Sequence, residues 1–162
     1  MELKKRFSLR KVFIILYNVA FLAFLVIGFL PTEAIYAVDA KLEIPAIDLT
    51  TDVTKLKLQN NKLETPDLIA GSFTNNENKI LLVGHSTTVF HNLAQISLGD
   101  EIFYAGKVYK VIAREMMEKA EISMREILRA EENETLVVMT CAGELYENQD
   151  ASHRLIVTAI QL

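Results

Sequence analysis

The chain predicts a mainly β domain behind an N-terminal apolar helix, and three features say so. Short runs of strand-forming residues recur between turn signals, as in KILLVG at Lys79–Gly84 and LIVTAI at Leu155–Ile160. Helical spacing is confined to a few brief stretches after residue 40. Val12–Leu30 is almost unbroken apolar sequence, long enough for a helix to cross a bilayer core of about 30 Å. About seven or eight short strands with few helices make a closed barrel or a sandwich.

The apolar segment comes first. Residues 1–30 carry Lys4, Lys5, Arg6, Arg10 and Lys11 against Glu2, or +4, so the formal charge of −4 leaves −8 for the rest. Basic flanks stay cytoplasmic. The expected organisation is therefore a cytoplasmic basic tail over 1–11, an uncleaved transmembrane signal anchor over 12–30, a tether over 31–40 and an extracellular domain over 41–162. Asn18 is the one strongly polar residue of the anchor. The competing reading is a cleaved signal peptide, whose apolar core is shorter, about 7–15 residues, and ends in small residues. The acidic remainder argues against nucleic-acid binding, which wants a basic face. With Cys141 the only cysteine, no intrachain disulfide forms.

The domain elements follow in order. Leu42–Thr50 (LEIPAIDLT) alternates like a half-buried strand, with Pro45 marking a bulge or an edge. Val53–Leu58 is a second strand, Pro66–Phe73 a helical turn and Thr74–Asn78 a polar loop. Lys79–Gly84 is a central strand with His85 at its end. Phe90, Leu93 and Ile96 recur every three residues and place one face of a short helix on the core. Glu101–Ala105 and Val108–Arg114 are strands joined by a tight hairpin at Ala105-Gly106-Lys107. Glu118–Glu132 reads as helical, with Ile122, Ile127 and Leu128 as apolar contacts and Ser123 as N-cap. Leu136–Thr140 and Leu155–Ile160 are the last strands, joined by a loop over Ala142–Asp150.

Chemistry concentrates at three strand ends: His85, Cys141 and Arg154. A thiolate attacks, and a nearby cation or base activates it. Histidine can be that partner and can hand a proton to a leaving amine. Arginine keeps its charge and offers a rigid fork of donors to a developing oxyanion. Alone, each residue has an ordinary structural reading as buried thiol, strand-end histidine or surface cation; together they make an acyl-transfer site. His153 and Arg154 are neighbours on a strand and point to opposite faces, so only Arg154 enters the site. His91 reads as a surface residue on the polar side of the short helix. The acidic residues Glu115, Glu118, Glu121, Glu126, Glu131, Glu132 and Glu134 read as a solvated face rather than a calcium site, since no dense ligand loop is visible.

These motifs, in this order, resemble the sortase family of membrane-anchored cysteine transpeptidases over about residues 41–160. LEIPAIDL is similar to the family's opening strand with its I-P-x-I core. KILLVGHST is similar to the strand leading to the catalytic histidine, at His85. Phe90, Leu93, Ile96, Gly99, Asp100 and Ile102 repeat the F-x-x-L-x-x-hydrophobic-x-x-G-D-x-I pattern. Met139-Thr140-Cys141 matches the end of T-L-x-T-C, with Val137 and Val138 in place of Thr-Leu, and Arg154 in HRLIVTA matches the family's arginine. The resemblance implies a closed sortase-type β-barrel with one to three short helices, and the short chain is closest to the compact class D or E enzymes.

The resemblance also implies a function. Cys141 would attack the Thr-Gly carbonyl of an L-P-x-T-G-like C-terminal sorting signal, His85 would protonate the departing amine, and Arg154 would hold the substrate and stabilise the oxyanion. Ser86, Thr87 and Thr140 are the expected substrate-binding residues. The partners would be surface-protein substrates and an amine acceptor in peptidoglycan or a pilin, with no cofactor required. The rival readings are an exported cysteine hydrolase that uses the same residues, and a catalytically idle, membrane-tethered β-domain.

Overall fold

The structure is a computed structural model that describes residues 16–18, 36–59, 62–76, 78–146 and 150–162. The chain divides into residues 1–35 and the domain Tyr36–Leu162. The basic tail, the anchor and most of the tether lie outside the described residues, apart from the helical Leu16–Asn18 and from Tyr36–Ala40. Among the described residues, no helix is long and apolar enough to cross a membrane.

The domain is a closed barrel. Its strands are β1 (Ala40–Ile44), β2 (Leu49–Lys55), β5 (Ala70–Asn76), β6 (Lys79–Val83), β7 (Glu101–Tyr104), β8 (Lys107–Glu118), β9 (Thr135–Leu145) and β10 (Ala151–Gln161). Around the barrel they run β1-β2-β5-β6-β9-β10-β8-β7, with β7 closing on β1. A separate two-stranded hairpin is formed by β3 (Leu58–Gln59) and β4 (Lys62–Leu63). Closure gives each of the eight barrel strands a partner on both sides. Two pairings are parallel, β2 with β5 and β6 with β9; the others are antiparallel.

Alternation along the strands sorts side chains to two faces. Leu82, Leu136, Val138, Leu155, Val157 and Ala159 point into the barrel and join Leu42, Ile44, Tyr109 and Phe90 in the main core. Leu81, Val83, Val137, Met139 and Ile156 point outward and form a second cluster with Leu128, Ile122, Ile127 and Phe73. The β7–β8 hairpin turns at Ala105 and Gly106, both at positive φ (50° and 77°), as the sequence predicts for a tight turn.

Several elements differ from the sequence expectation. Leu42–Thr50 is two strands, because Pro45 starts a 3-10 turn over Pro45–Ile47 and Asp48 turns back at φ 51°. Pro66–Phe73 is not helical: residues 67–69 bend and β5 begins at Ala70, reaching through the expected polar loop to Asn76. The reason is ladder pairing on both sides, with β2 and β6, which outweighs local propensity. The Phe90–Ile96 stretch is a series of turns ending in a 3-10 turn at Leu93–Gln95, although Phe90, Leu93 and Ile96 are buried as their spacing implies.

The expected helix over Glu118–Glu132 is mostly absent. β8 continues to Glu118 because β10 pairs with it as far as His153. A 3-10 turn at Lys119–Glu121 and a single α-turn at Met124–Ile127 follow. Ser123 stands at the N-cap position, but its side chain makes no capping hydrogen bond; its carbonyl accepts from the Glu126 and Ile127 amides at 3.0 Å each. Ile122, Ile127 and Leu128 pack on the outer cluster, so the apolar contacts hold even where the helix does not.

Candidate active site

Cys141 does not end its strand. β9 runs past it to Leu145, and β10 begins at Ala151, before His153 and Arg154. The expected loop over Ala142–Asp150 is therefore partly strand. Pairing across the β9–β10 hairpin makes the difference, since Ala142 faces His153 and Leu145 faces Ala151. The same register sets Cys141 opposite Arg154. Residues directly opposite in an antiparallel pair share a face. That face is the outer one, because Met139 and Ile156, two residues from each, also pair and both belong to the outer cluster.

His85 arrives from the other side. β6 lies parallel to β9, with Val83 opposite Met139. Two residues past Val83, the last of β6, bring His85 level with Cys141, so imidazole, thiol and guanidinium come from the turn after β6 and from β9 and β10, with the sulfur in the middle. All three line one open cavity of about 620 Å³. Leu58, Leu63, Phe73, Val83, Met124, Leu128 and Met139 make most of its wall apolar.

The approach of His85 depends on a tight turn. Gly84 sits against Phe90, and a Cβ there would lie 2.7 Å from the buried ring. The Phe90 amide donates to the His85 carbonyl at 2.9 Å and closes the turn. Thr140 ties the neighbouring strand to it: its buried hydroxyl donates to the Gly84 carbonyl at 2.7 Å. The His85 ring has Nε2 3.4 Å from the Thr65 carbonyl and 3.6 Å from Asp67 Oδ1. Asp67 is almost fully exposed, so this contact is worth little by itself.

A sequence model of the Sortase domain matches residues 42–161. The chain belongs to the sortase family. No curated protein matches it in sequence. Among solved structures it is similar to sortase A of Listeria monocytogenes, with a TM-score of 0.61 and 16% identity over 78% of this chain and 88% of that one. It is also similar to sortase C-1 of Actinomyces oris, with a TM-score of 0.60 and 24% identity over 83% and 77%. A third is the sortase D5 transpeptidase of Clostridium perfringens, with a TM-score of 0.57 and 20% identity over 77% and 79%. At these identities the likeness shows the fold, the closed sortase barrel. Family and fold together support a sortase-type cysteine transpeptidase.

Within this sortase-family domain the sequence-predicted residues fall in distinct places. Thr140 reaches the cavity wall, but its hydroxyl is spent on Gly84. Ser86 is half-buried and Thr87 exposed, and neither lines the cavity. His153 pairs with Ala142 and bonds Ser152, Nδ1 to Oγ at 2.7 Å, one residue out of step with Arg154. His91 is exposed, with Nδ1 2.8 Å from the Thr88 carbonyl. Among the described residues, no three His, Cys, Asp or Glu side chains group to hold a metal.

Two contributions escaped the sequence reading. The β3–β4 hairpin and the 122–128 segment supply cavity wall from Leu58, Leu63, Met124 and Leu128. No local pattern tells a wall residue from a core residue. The other is Asp150, whose Oδ1 accepts from Arg154 Nη2 at 2.9 Å. An acidic residue four before a candidate site arginine is a readable signal, and it is the one that could have been used.

Proposed function

We propose that this sortase-family chain is a membrane-anchored cysteine transpeptidase that cleaves an L-P-x-T-G-like sorting signal and joins the new acyl end to an amine. The observation that carries this is the placing of Cys141 between His85 and Arg154 on the wall of one open cavity. The Cys141 sulfur attacks the scissile carbonyl and forms the thioester. The C–N bond breaks, and His85 gives its proton to the departing amine. Arg154 donates hydrogen bonds to the carbonyl oxygen as it gains negative charge. An acceptor amine then attacks the thioester, its proton passes to His85, and the C–S bond breaks, which releases the Cys141 sulfur and restores the starting pair. Nucleophile, proton carrier and oxyanion donor are all side chains, so the cycle needs no cofactor. The apolar wall suits the aliphatic part of such a signal, and the acceptor is an amine of peptidoglycan or of a pilin. Residues 12–30 anchor the enzyme with residues 41–162 outside the cell, where such substrates are delivered.

The test incubates the full-length chain with a panel of sorting-signal peptides, with and without an amine acceptor, and follows products by mass spectrometry. A ligated product that disappears in Cys141→Ala supports the reading. Cleavage to the free acid alone, at saturating amine, makes the protein a hydrolase instead. No covalent peptide–enzyme adduct with any member of the panel counts against thiol chemistry.

A further inference from the structure

Arg154 is gripped along one side. Its Nη1 donates to the carbonyls of Ala151 at 3.0 Å and His153 at 2.9 Å, and its Nη2 donates to Asp150 Oδ1 at 2.9 Å. A guanidinium has five N–H donors. Nε–H and one Nη2–H therefore remain uncommitted among the described residues. The side chain is only 15% exposed and lines the cavity beside Cys141.

Asp150 is the junction of this grip. One oxygen serves Arg154 and also accepts from the Ala151 amide at 2.9 Å; the other accepts from Lys119 Nζ, just past the end of β8. The Asp150 carbonyl accepts from the Tyr146 amide at 2.7 Å, across the β9–β10 hairpin. Lys119 first and Arg154 second hold the carboxyl well below the usual carboxylate range. Asp150 does not line the cavity, so any effect on substrate passes through Arg154.

We propose that Asp150 is a positioning residue that turns Arg154 so that its uncommitted N–H groups face the reacting carbonyl beside Cys141. The inference rests on the transpeptidase reading above. A long arginine has many rotamers, and an oxyanion donor is effective only when held in place before charge develops. Two backbone carbonyls and one carboxylate remove that freedom.

Asp150→Asn keeps the shape and one acceptor oxygen but loses the charge. In the full-length chain, kcat for peptide transfer should fall about tenfold, with KM within about twofold, because the lost interaction serves the transition state more than the bound substrate. Lys119→Met breaks the other arm of Asp150 without touching Arg154 and should leave kcat within about threefold. In arginine-labelled protein, the Arg154 Nη nitrogens should give separate NMR signals in wild type and merge in Asp150→Asn as rotation about the guanidinium bonds speeds up. The proposal is overturned if Asp150→Asn keeps wild-type kcat, if KM alone changes, if Lys119→Met is as damaging as Asp150→Asn, or if the wild-type Nη signals are already merged. The transpeptidase reading fails separately, if Cys141→Ala still transfers peptide or Arg154→Ala turns over at the wild-type rate. With both of those variants impaired and Asp150→Asn normal, only the positioning role is lost.

Discussion

The two faces of the sheet β6–β9–β10–β8 are built from alternate residues of the same strands and do different work. On the inner face, Leu82, Leu136, Val138 and Val157 are wholly buried, closed in by the rest of the barrel. On the outer face the cover is thin: the 122–128 segment and the β3–β4 hairpin bury Leu81, Val137 and Ile156. It stops short of Cys141, and the cavity opens there. A complete layer stabilises; an incomplete one leaves room for a substrate. A single strand can carry both because its side chains alternate.

That contrast predicts opposite consequences for neighbouring substitutions. Cys141→Ala on the outer face should lower transfer by roughly 10³-fold or more with the melting temperature nearly unchanged. Arg154→Lys should lower it by roughly 10²-fold, because a point charge does not replace a planar fork held by three acceptors. Turnover close to wild type in either variant would remove that residue from the chemistry.

Next come two leucines. Leu82→Ala, inside the barrel, should cost about 2–5 kcal/mol in chemical denaturation while kcat of the folded fraction holds. Leu128→Ala, in the outer layer and on the cavity wall, should cost less, about 1–2 kcal/mol, because this site can relax toward solvent. Its larger effect should be a raised KM. Equal destabilisation with no change in KM would erase the distinction between the faces.

Gly84→Ala tests the turn that delivers His85. The added methyl meets the Phe90 ring, so the turn must move, and kcat should drop about tenfold with a small change in stability. Unchanged kcat would show that the turn absorbs the methyl without moving the imidazole.

The smallest effect is on pH. Asp150 is held low by Lys119 and Arg154, and Glu131 by Lys79. Burial pushes the Glu134 carboxyl up, but hydrogen bonds from Lys107 and Tyr109 outweigh it and hold it low as well. A carboxylate whose folded pKa is depressed adds stability above its unfolded value, and that stability is lost as pH falls through the folded one. The melting temperature should thus be flat from about pH 7 to 5 and fall below about pH 4.5. Lys79→Met should remove the part that belongs to Glu131; an unchanged acid limb would show that this pair contributes nothing.

The sequence by itself determined the β class, most of the strand centres and the three candidate site residues, because apolar alternation, turn residues and chemical type are local properties. The strand expected over Lys79–Gly84 is β6, Lys79–Val83, with His85 two residues past its end, and His153 and Arg154 pair with Ala142 and Cys141, one step apart on β9. Only the tertiary structure decided where strands stop and which ones meet. β5 and the end of β8 are strand because distant partners supply hydrogen bonds that their own residues do not announce, and β9 and β10 extend each other across their hairpin. The parallel pairing of β6 with β9 brings His85 level with Cys141 across 56 residues of chain, joining Thr140 to Gly84 on the way. Asp150 stands only four residues before Arg154, but Lys119 reaches its other oxygen only once β8 and β10 lie side by side. Hydrogen bonds between strands are specified by the whole closed ladder, so no short stretch of sequence contains them.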